Sequence, residues 1–234
     1  MLLSHRLVVA ATIVASSIVM SASADVVVGW TIPTAFPTNP PPSGTSFSAG
    51  VADQGLNALG SNLSSSHVAV ATAYTSPAGN GSQFSFSSNN WAIGDYYEAR
   101  FSALGFTDLS LSWDQARSST GPASFELIMS VDGGSNFTTL LASYAVLQSG
   151  GGGAPGTWST AIYNPLYTLG QSLGNLGDNQ ADVILRFRAL VAPGGISGSS
   201  RIDSVFVNGT AVPAPGAIVL LGMTGLLGAR RRRA

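Results

Sequence analysis

The sequence predicts an all-β protein built around a single β-sandwich domain. Charged residues make up only 9% of the 234 residues, 28 residues are glycine, and 45% are hydrophobic. A composition rich in turn-forming residues and poor in charge is typical of all-β domains. Several segments also alternate apolar and polar side chains, so each would bury one face and expose the other. These segments recur at the spacing of sandwich strands, with turn residues between them.

The alternation locates the strands between Asp25 and Ala211. It is clearest in segments 109–113, 125–132 and 183–190. Segments 53–63 and 167–180 are expected to hold at most a short helical turn, because glycines interrupt them. Further candidate strands are 26–30, 68–74, 83–87, 96–101, 158–163 and 202–207.

The N-terminal 24 residues have the layout of a secretory signal peptide. Arg6 supplies a positive charge, and residues 7–20 are mostly apolar. Ala22 and Ala24 are small residues at the two positions that a signal peptidase reads, so we predict cleavage after Ala24. The alternative is an uncleaved N-terminal anchor, but the apolar run has the length of a signal-peptide core.

The C-terminal segment has the layout of a membrane-directed tail. Residues 216–229 carry no charge, and four consecutive arginines follow them. As a helix these residues would be roughly 21 Å long, shorter than the ~30 Å hydrocarbon core of a bilayer. Counting from Val212, and letting the arginines reach the interface, brings the segment to marginal spanning length. The arginines would stay on the cytoplasmic side, which places the folded domain outside.

This tail resembles the PEP-CTERM sorting signal of exported bacterial proteins, which combines a Pro-Glu-Pro motif, a hydrophobic helix and an arginine cluster. Ala214 stands where that motif has glutamate. The resemblance implies cleavage by an exosortase near Pro213-Ala214-Pro215 and delivery to the cell surface or an exopolysaccharide matrix. A plain C-terminal membrane anchor is the alternative. The residues of the predicted signal are Val212, Pro213, Ala214, Pro215, Arg230, Arg231, Arg232 and Arg233.

The predicted organisation is a signal peptide (1–24), a β-sandwich domain (25–211) and a sorting or anchor segment (212–234), with both terminal segments helical. Within the domain, the order of segments from Leu111 to the closing strand at 201–205 is similar to that of other exported PEP-CTERM proteins. The closing strand is also similar to the last strand of jelly-roll carbohydrate-binding modules. These resemblances imply a jelly-roll-like sandwich, and they transfer no ligand.

The folded domain is acidic, although the whole chain carries a formal charge of −1. All ten basic residues are arginines, and five of them lie in the terminal segments. The domain therefore holds five arginines against eleven acidic residues. An acidic domain without lysine is a poor ligand for nucleic acid, whose binding depends on cationic contacts to phosphate. Since cysteine is absent, burial of apolar surface must hold the fold together without disulfides.

The sequence offers no catalytic constellation. His67 is the single histidine outside the signal peptide. We expect it in a loop or at a strand edge, not as a general base. Without cysteine and with one histidine, most zinc and copper sites are excluded. The acidic residues alone do not exclude a glycosidase, but Glu98 and Glu126 lack a distinctive flanking motif. We therefore predict that the protein is not an enzyme.

Residues 130–137 resemble the Asp-box hairpin, Ser-x-Asp-x-Gly-x-Thr-Trp, of sialidases and other β proteins. Asp132 can accept hydrogen bonds from amides across the turn, and Gly133 and Gly134 tolerate positive φ. In those families the box is a structural hairpin away from the active site. We interpret it here as a turn.

Two weaker candidate ligand sites remain. Sugar recognition combines exposed aromatic rings with hydrogen-bonding groups, which favours Trp91, Asp95, Tyr96 and Tyr97. The alternative is that these rings fill the core. The resemblance to jelly-roll modules implies a structural Ca²⁺ at Asp203, since Ca²⁺ takes oxygen ligands. The alternative is that Asp203 bonds neighbouring amides or pairs with an arginine. No other cofactor is predicted.

These features favour an exported bacterial protein of the cell surface or extracellular matrix, with a structural or adhesive role. The alternative is a carbohydrate-binding module that acts on exopolysaccharide. The expected partners are signal peptidase, an exosortase, and the membrane through the C-terminal helix before processing. In the alternative, a polysaccharide is a further partner.

Overall fold

The computed structural model describes residues 24–38, 41–150, 152–195 and 197–213. The regular secondary structure in this part of the chain is β-strand apart from one short 3-10 helix, which confirms the all-β prediction. The predicted terminal helices lie outside it. None of the described residues form a helix with the length and apolarity needed to cross a bilayer. The elements are β1 (Ala24–Trp30), β2 (Ser46–Gly50), β3 (Asn62–Ser66), β4 (Tyr74–Thr75), β5 (Phe86–Ser88), β6 (Tyr96–Phe101), β7 (Phe106–Arg117), β8 (Ser124–Ser130), β9 (Thr138–Ala145), the 3-10 helix (Pro165–Tyr167), β10 (Thr168–Ser172), β11 (Val183–Ala189) and β12 (Ser200–Ala211).

The strands form two antiparallel sheets around one hydrophobic core. Sheet I has the order β10-β7-β12-β5-β4, with β1 also paired to β12, and sheet II has the order β2-β3-β6-β11-β8-β9. From β3 onwards the chain crosses between the sheets at most connections, as in a jelly-roll sandwich. The described residues therefore form the two-sheet sandwich that the sequence predicts.

Strand β12 pairs with three other strands of sheet I. It pairs with β7 along its length, with β5 over residues 200–202, and with β1 over residues 205–210. The exchange of β5 for β1 occurs beside Ser204, whose φ of 48° is unusual for a residue other than glycine. The register with β7 shifts at the same place, so the bulge lets one strand serve two partners on one edge.

Aromatic rings from both sheets fill the core. Trp113 of sheet I lies 5.2 Å from Phe187 of sheet II between ring centroids, and Phe86 lies 5.3 Å from Tyr97. Each of these side chains is at most 1% exposed. Fully burying an aromatic or large aliphatic side chain contributes about 1.5–3 kcal/mol. Such contacts across the sandwich supply the stabilisation that disulfides provide in other exported domains.

Two predicted strands are wrong, and four observed strands were not predicted. Val68 and Val70 alternate with polar or small neighbours, yet they are 75% and 78% exposed in a loop, and only Tyr74 of that segment is in a strand. Segment 158–163 is likewise a loop, where the Trp158 Nε1 donates to the Ala78 carbonyl at 2.7 Å. The unpredicted strands are β2, β3, β9 and β10. Of these, β2, β9 and β10 form sheet edges, which have one neighbour and a weaker apolar pattern.

The loop between β2 and β3 packs tightly on β1. Gly29 N donates to Gln54 O at 2.9 Å, and Asn57 N donates to Val27 O at 2.9 Å. Gly55 lies between these contacts with φ of +104°, and a Cβ there would overlap the Val27 carbonyl. Only glycine fits at this close approach of two backbones.

We predict that Gly55→Ala destabilises the protein more than Gly60→Ala does. Both residues have positive φ, but a Cβ added at Gly60 would meet no other atom within 4 Å. The backbone strain is therefore similar, and the difference of roughly 1–3 kcal/mol reports the overlap with β1. Urea denaturation of the two variants measures it. Equal losses would contradict the close packing of this loop.

Candidate functional site

The outward surface of sheet II carries ordered polar and aromatic side chains. In β6 and β11 the core-facing residues alternate with residues that face away from the core. The strand registers align these outward side chains in rows across the sheet. We call this surface the polar face. Its first row is Ser66, Tyr96, Arg188 and Glu126, and its second row is Ser64, Glu98, Arg186 and Ile128.

Arg186 lies at the centre of the polar face. Its guanidinium carbon is 4.3 Å from the centroid of the Tyr96 ring and 4.4 Å from that of Phe137. Its Nε donates to the Glu98 Oε2 at 2.7 Å. The side chain is thus held by two cation–π contacts and one charge-assisted hydrogen bond.

A second arginine–glutamate pair lies in the neighbouring row. Arg188 Nε donates to Glu126 Oε1 at 2.6 Å. The arginine side chains keep 26% and 43% of their surface exposed, and the glutamates keep 17% and 11%. Partly exposed ion pairs contribute little to stability. What they provide is a set of donors and acceptors that are already oriented toward solvent.

The Asp-box-like hairpin brings Phe137 to this face. Asp132 Oδ1 accepts from the Asn136 amide at 2.9 Å, and Oδ2 accepts from the Asn136 side-chain amide at 2.7 Å. The hydrogen bond from the backbone amide of Asn136 is the largest cause that lowers the pKa of Asp132, to about 2. Gly133 and Gly134 have φ of +74° and +89°. The predicted turn is confirmed, and its effect is to place the Phe137 ring against Arg186.

The structure separates the four residues of the predicted sugar-binding loop. Tyr96 lies on the polar face, whereas Trp91, Asp95 and Tyr97 are 4%, 2% and 0% exposed. The alternation within β6 turns Tyr97 toward the core, where its ring centroid lies 4.9 Å from that of Trp91. The expected exposed platform of Trp91 and Tyr97 is therefore not formed. Trp91 reaches the surface only at one wall of a cavity of about 410 Å³, lined otherwise mainly by alanine, proline and glycine.

His67 directly follows β3, as expected for a loop or strand-edge residue, but its side chain is completely buried. Its Nδ1 lies 3.0 Å from Asp95 Oδ2 without the alignment of a hydrogen bond. Its Nε2 lies 2.9 Å from Ser65 Oγ and 3.0 Å from Ser88 Oγ. Burial, the largest effect, lowers the pKa of His67, and the charge of Asp95 opposes that shift. Burial therefore favours the neutral imidazole.

This Asp–His–Ser cluster resembles a catalytic triad in composition, but its three residues are buried. Ser88 is 1% exposed, and its hydroxyl leads further inward to the Tyr97 hydroxyl at 3.3 Å. Tyr97 in turn donates to the Ser200 carbonyl of β12 at 2.7 Å. Burial raises the pKa of Tyr97 and keeps the phenol neutral. The network links β3, β5, β6 and β12 by satisfying polar groups inside the core.

Asp203 is fully buried beside the bulge of β12. Its Oδ2 accepts from the Asn80 amide at 2.9 Å and from Ser82 Oγ at 2.5 Å, and its Oδ1 accepts from the Ser204 amide at 2.8 Å. Asp114 lies opposite Asp203 in the register of β7 and β12 and is also buried. Burial is the main cause that raises the pKa of both carboxyls, to about 6 for Asp203.

The hydrogen bonds of Asp203 favour the alternative to a structural Ca²⁺ site, although Asp114 Oδ2 opposite it is buried without a hydrogen-bond partner among the described residues. Backbone N–H groups face its oxygens, and their partial positive charge disfavours a cation there. Ca²⁺ also needs six to eight oxygen ligands. The described ranges contain no group of three or more His, Cys, Asp or Glu residues that can hold a metal. Asp203 instead bonds neighbouring amides, the other alternative drawn from the sequence.

The remaining predicted site residues belong to the terminal segments. Ala24 is the first residue of β1, and Val212 follows β12, where its amide donates to Gly105 O at 2.8 Å. Pro213 is the last described residue. The others, which are Ala22, Ala214, Pro215, Arg230, Arg231, Arg232 and Arg233, lie outside the described residues.

The sequence reasoning missed the residues that organise the polar face. Arg186 and Arg188 occupy the outward positions of a predicted strand, so their shared surface was readable from the alternation. Their pairing with Glu98 and Glu126 depends on which strands flank β11, and Phe137 arrives through the fold of the hairpin. Those contacts require the tertiary structure.

We predict that Asp203→Asn changes how stability depends on pH. The raised pKa of Asp203 means that the folded protein binds a proton near pH 6, whereas an unfolded aspartate does so near 4. Between about pH 6 and about pH 4, lowering the pH therefore stabilises the wild type. From pH 7 to pH 4.5 the wild type should gain roughly 2 kcal/mol relative to the Asn variant. Denaturation curves at about pH 7 and about pH 4.5 measure this gain. Asp108→Asn, at an exposed position, is the control, and its stability should change with pH as that of the wild type does. A constant difference between wild type and Asp203→Asn would contradict the raised pKa.

Comparison with known proteins finds no matching protein-family model and no matching curated protein. Solved structures with related architecture are found at low identity. The CBM22-1 xylan-binding domain from Paenibacillus barcinonensis Xyn10C is 7% identical, with a TM-score of 0.40 over 83% of this chain and 100% of that one. The K1 cleaved adhesin domain of Lys-gingipain from Porphyromonas gingivalis is 13% identical, with a TM-score of 0.43 over 78% and 98%. TmCBM61 in complex with β-1,4-galactotriose is 11% identical, with a TM-score of 0.35 over 64% and 88%.

Proposed function

We propose that this chain is a non-catalytic, exported glycan-binding domain with an adhesive role at the bacterial surface or in the extracellular matrix. This combines the two functions considered from the sequence and gives the binding role to the polar face. The observation that carries the proposal is the arrangement of Tyr96, Arg186 and Phe137 beside the paired glutamates.

The chemistry of the polar face matches that of a saccharide. Sugars offer hydroxyl groups that both donate and accept, along with C–H surfaces that pack on aromatic edges and faces. Glu98 and Glu126 supply acceptors, and the two arginines supply donors. Because ion pairs and cation–π contacts already orient these groups, binding costs little side-chain ordering. A row of serines on β3 extends the hydrogen-bonding surface.

The route to the surface is part of the proposal. A signal peptidase would remove residues 1–24, the apolar tail would hold the domain at the membrane, and an exosortase would process it near Pro213-Ala214-Pro215. The support is the layout of the two terminal segments and the acidic, lysine-free domain between them. In the described structure the first and last strands are neighbours, with Ala24 opposite Thr210. Both segments therefore join the domain at one place.

We predict that the full chain, purified in detergent, binds at least one polysaccharide saturably through the polar face. A glycan array finds the ligand, and affinity gel electrophoresis with that polysaccharide measures the affinity. Tyr96→Ala and Arg186→Met should each weaken binding at least about tenfold, or about 1.4 kcal/mol. Each variant removes one member of the stacked Tyr96–Arg186–Phe137 group.

Tyr163→Ala is the matched control for Tyr96→Ala. Tyr163 is a 54% exposed tyrosine that lies outside the polar face. Its removal should change the affinity less than about twofold. Circular dichroism establishes that every variant is folded. Folded wild-type protein that binds no polysaccharide, or equal losses in the Tyr96 and Tyr163 variants, would contradict the proposal.

We also predict the ends of the mature protein. In a bacterium that possesses an exosortase, intact-mass spectrometry should find an N-terminus at Asp25 and a C-terminus within residues 213–215. In the same strain without the exosortase, the tail with its arginines should be retained. Retention of the tail in both strains would support the plain membrane anchor instead.

A further inference from the structure

Arg201 differs in its surroundings from the other four arginines of the domain. Arg100, Arg186 and Arg188 each pair with a carboxylate. Arg117 donates to the carbonyls of Val146, Ser118 and Ser119. Arg201 alone among them has neither a carboxylate nor a hydrogen-bond acceptor within the described part of the chain, and its Nε is buried.

The position of Arg201 is fixed by sheet I and the loop that covers it. Its backbone is paired with Ser87 of β5 and Ala116 of β7. The guanidinium carbon lies 5.9 Å from the centroid of the Trp158 ring. Trp158 is itself held by its hydrogen bond to the Ala78 carbonyl and by edge contact with the buried Tyr167. Burial lowers the pKa of Arg201, and no acidic residue is among the groups that act on it.

A cavity of about 250 Å³ opens beside this guanidinium on the outer side of sheet I. Arg201 is the only charged residue among those that line it. The other lining residues are mostly small and neutral polar, namely Thr75, Ser87, Ser88, Asn89, Ser197 and Ser199, with Ala73 and Pro77 as apolar walls. We call it the Arg201 pocket. Its volume is below the roughly 300 Å³ at which pockets for drug-sized ligands begin, so it suits a ligand of about one sugar ring.

A half-buried guanidinium without an acceptor is costly, because the loss of hydration is not repaid by another contact. A carboxylate suits it best, since the planar fork of arginine matches two carboxylate oxygens with two parallel hydrogen bonds. The neutral hydroxyl and amide groups of the pocket match sugar hydroxyls. A neutral sugar can accept hydrogen bonds from the guanidinium but leaves its charge unpaired, so the pocket favours the acid.

We propose that the Arg201 pocket is a binding site for the carboxylate of an acidic sugar, such as a uronic acid. It lies on sheet I, and the polar face lies on sheet II, so this site does not depend on the proposed role of that face. The uronate can be a free monosaccharide or a terminal unit of an acidic polysaccharide. Both present the same carboxylate on one pyranose ring.

Isothermal titration of the full chain with sodium glucuronate tests the proposal, with glucose as the neutral counterpart. The wild type should bind glucuronate at least about tenfold more tightly than glucose. Arg201→Met should weaken glucuronate binding at least about tenfold, while Arg100→Met should leave it within about twofold. Arg100 is the matched control because it is an exposed arginine paired with Asp182, far from the pocket and beyond the two rows that make up the polar face.

Ser197→Trp gives a second variant that keeps the arginine. Ser197 is an exposed residue at the wall of the pocket, so a larger side chain there should block entry without loss of folding.

Competition by tri-galacturonate would assign the site to a polysaccharide terminus, and no competition would assign it to the free sugar acid. Either result supports the proposal when binding requires Arg201. The proposal is overturned if glucuronate does not bind, if glucose binds equally, or if both pocket variants bind like the wild type. Loss of polysaccharide binding on Tyr96→Ala is a separate result and leaves this test unchanged.

Discussion

The pairing of β12 along both of its edges is the interaction on which sheet I depends. On one edge β7 follows it throughout, and on the other edge β5 gives way to β1 at the bulge beside Ser204. Without the bulge, either β5 or β1 could not pair with β12. Asp203 lies next to this bulge and is buried, and an amide and a hydroxyl from the loop before β5 hold it. A buried carboxylate is costly, and those hydrogen bonds are what make it tolerable. The strand exchange, the buried charge and the anchored loop are therefore one structural unit.

Sheet II divides its two surfaces by the alternation of its strands. In β11, Leu185 and Phe187 pack in the core, while Arg186 and Arg188 point outward. The neighbouring strands supply a glutamate opposite each arginine, so the outward surface is ordered before any ligand binds. The domain has few charged residues, and these four lie together on one surface. This cluster of four charged side chains distinguishes the polar face from the other, serine-rich surfaces of the domain.

The sequence predicted the strands whose alternation is carried by large apolar residues. Strands β7, β8 and β11 were located this way, because burial on one face requires a regular pattern. Strand β3 was missed because its inward positions include Ser65, a polar residue that is buried against His67. Conversely, Val68 and Val70 showed alternation without burial. Periodicity identifies a possible strand, but it does not show whether a partner sheet covers it.

The candidate sites show the same limit. Tyr96 was predicted and lies on the polar face, and the alternation within β6 also explains why Tyr97 does not. The contact of Phe137 with Arg186, that of His67 with Ser88, and the lining of the Arg201 pocket all bring together residues far apart in the chain. Such contacts depend on strand order, which local sequence patterns do not specify.

The neighbouring chain ends have a mechanical consequence. Val212 leaves the domain directly from β12, and the hydrogen bonds of an antiparallel ladder run perpendicular to the strands. A pull on the tail in line with β12 would therefore strain the bonds to β7 and β1 together, in shear, and would not open them one after another. If the tail tethers the domain as proposed, this geometry would resist detachment when flow drags on a bound ligand.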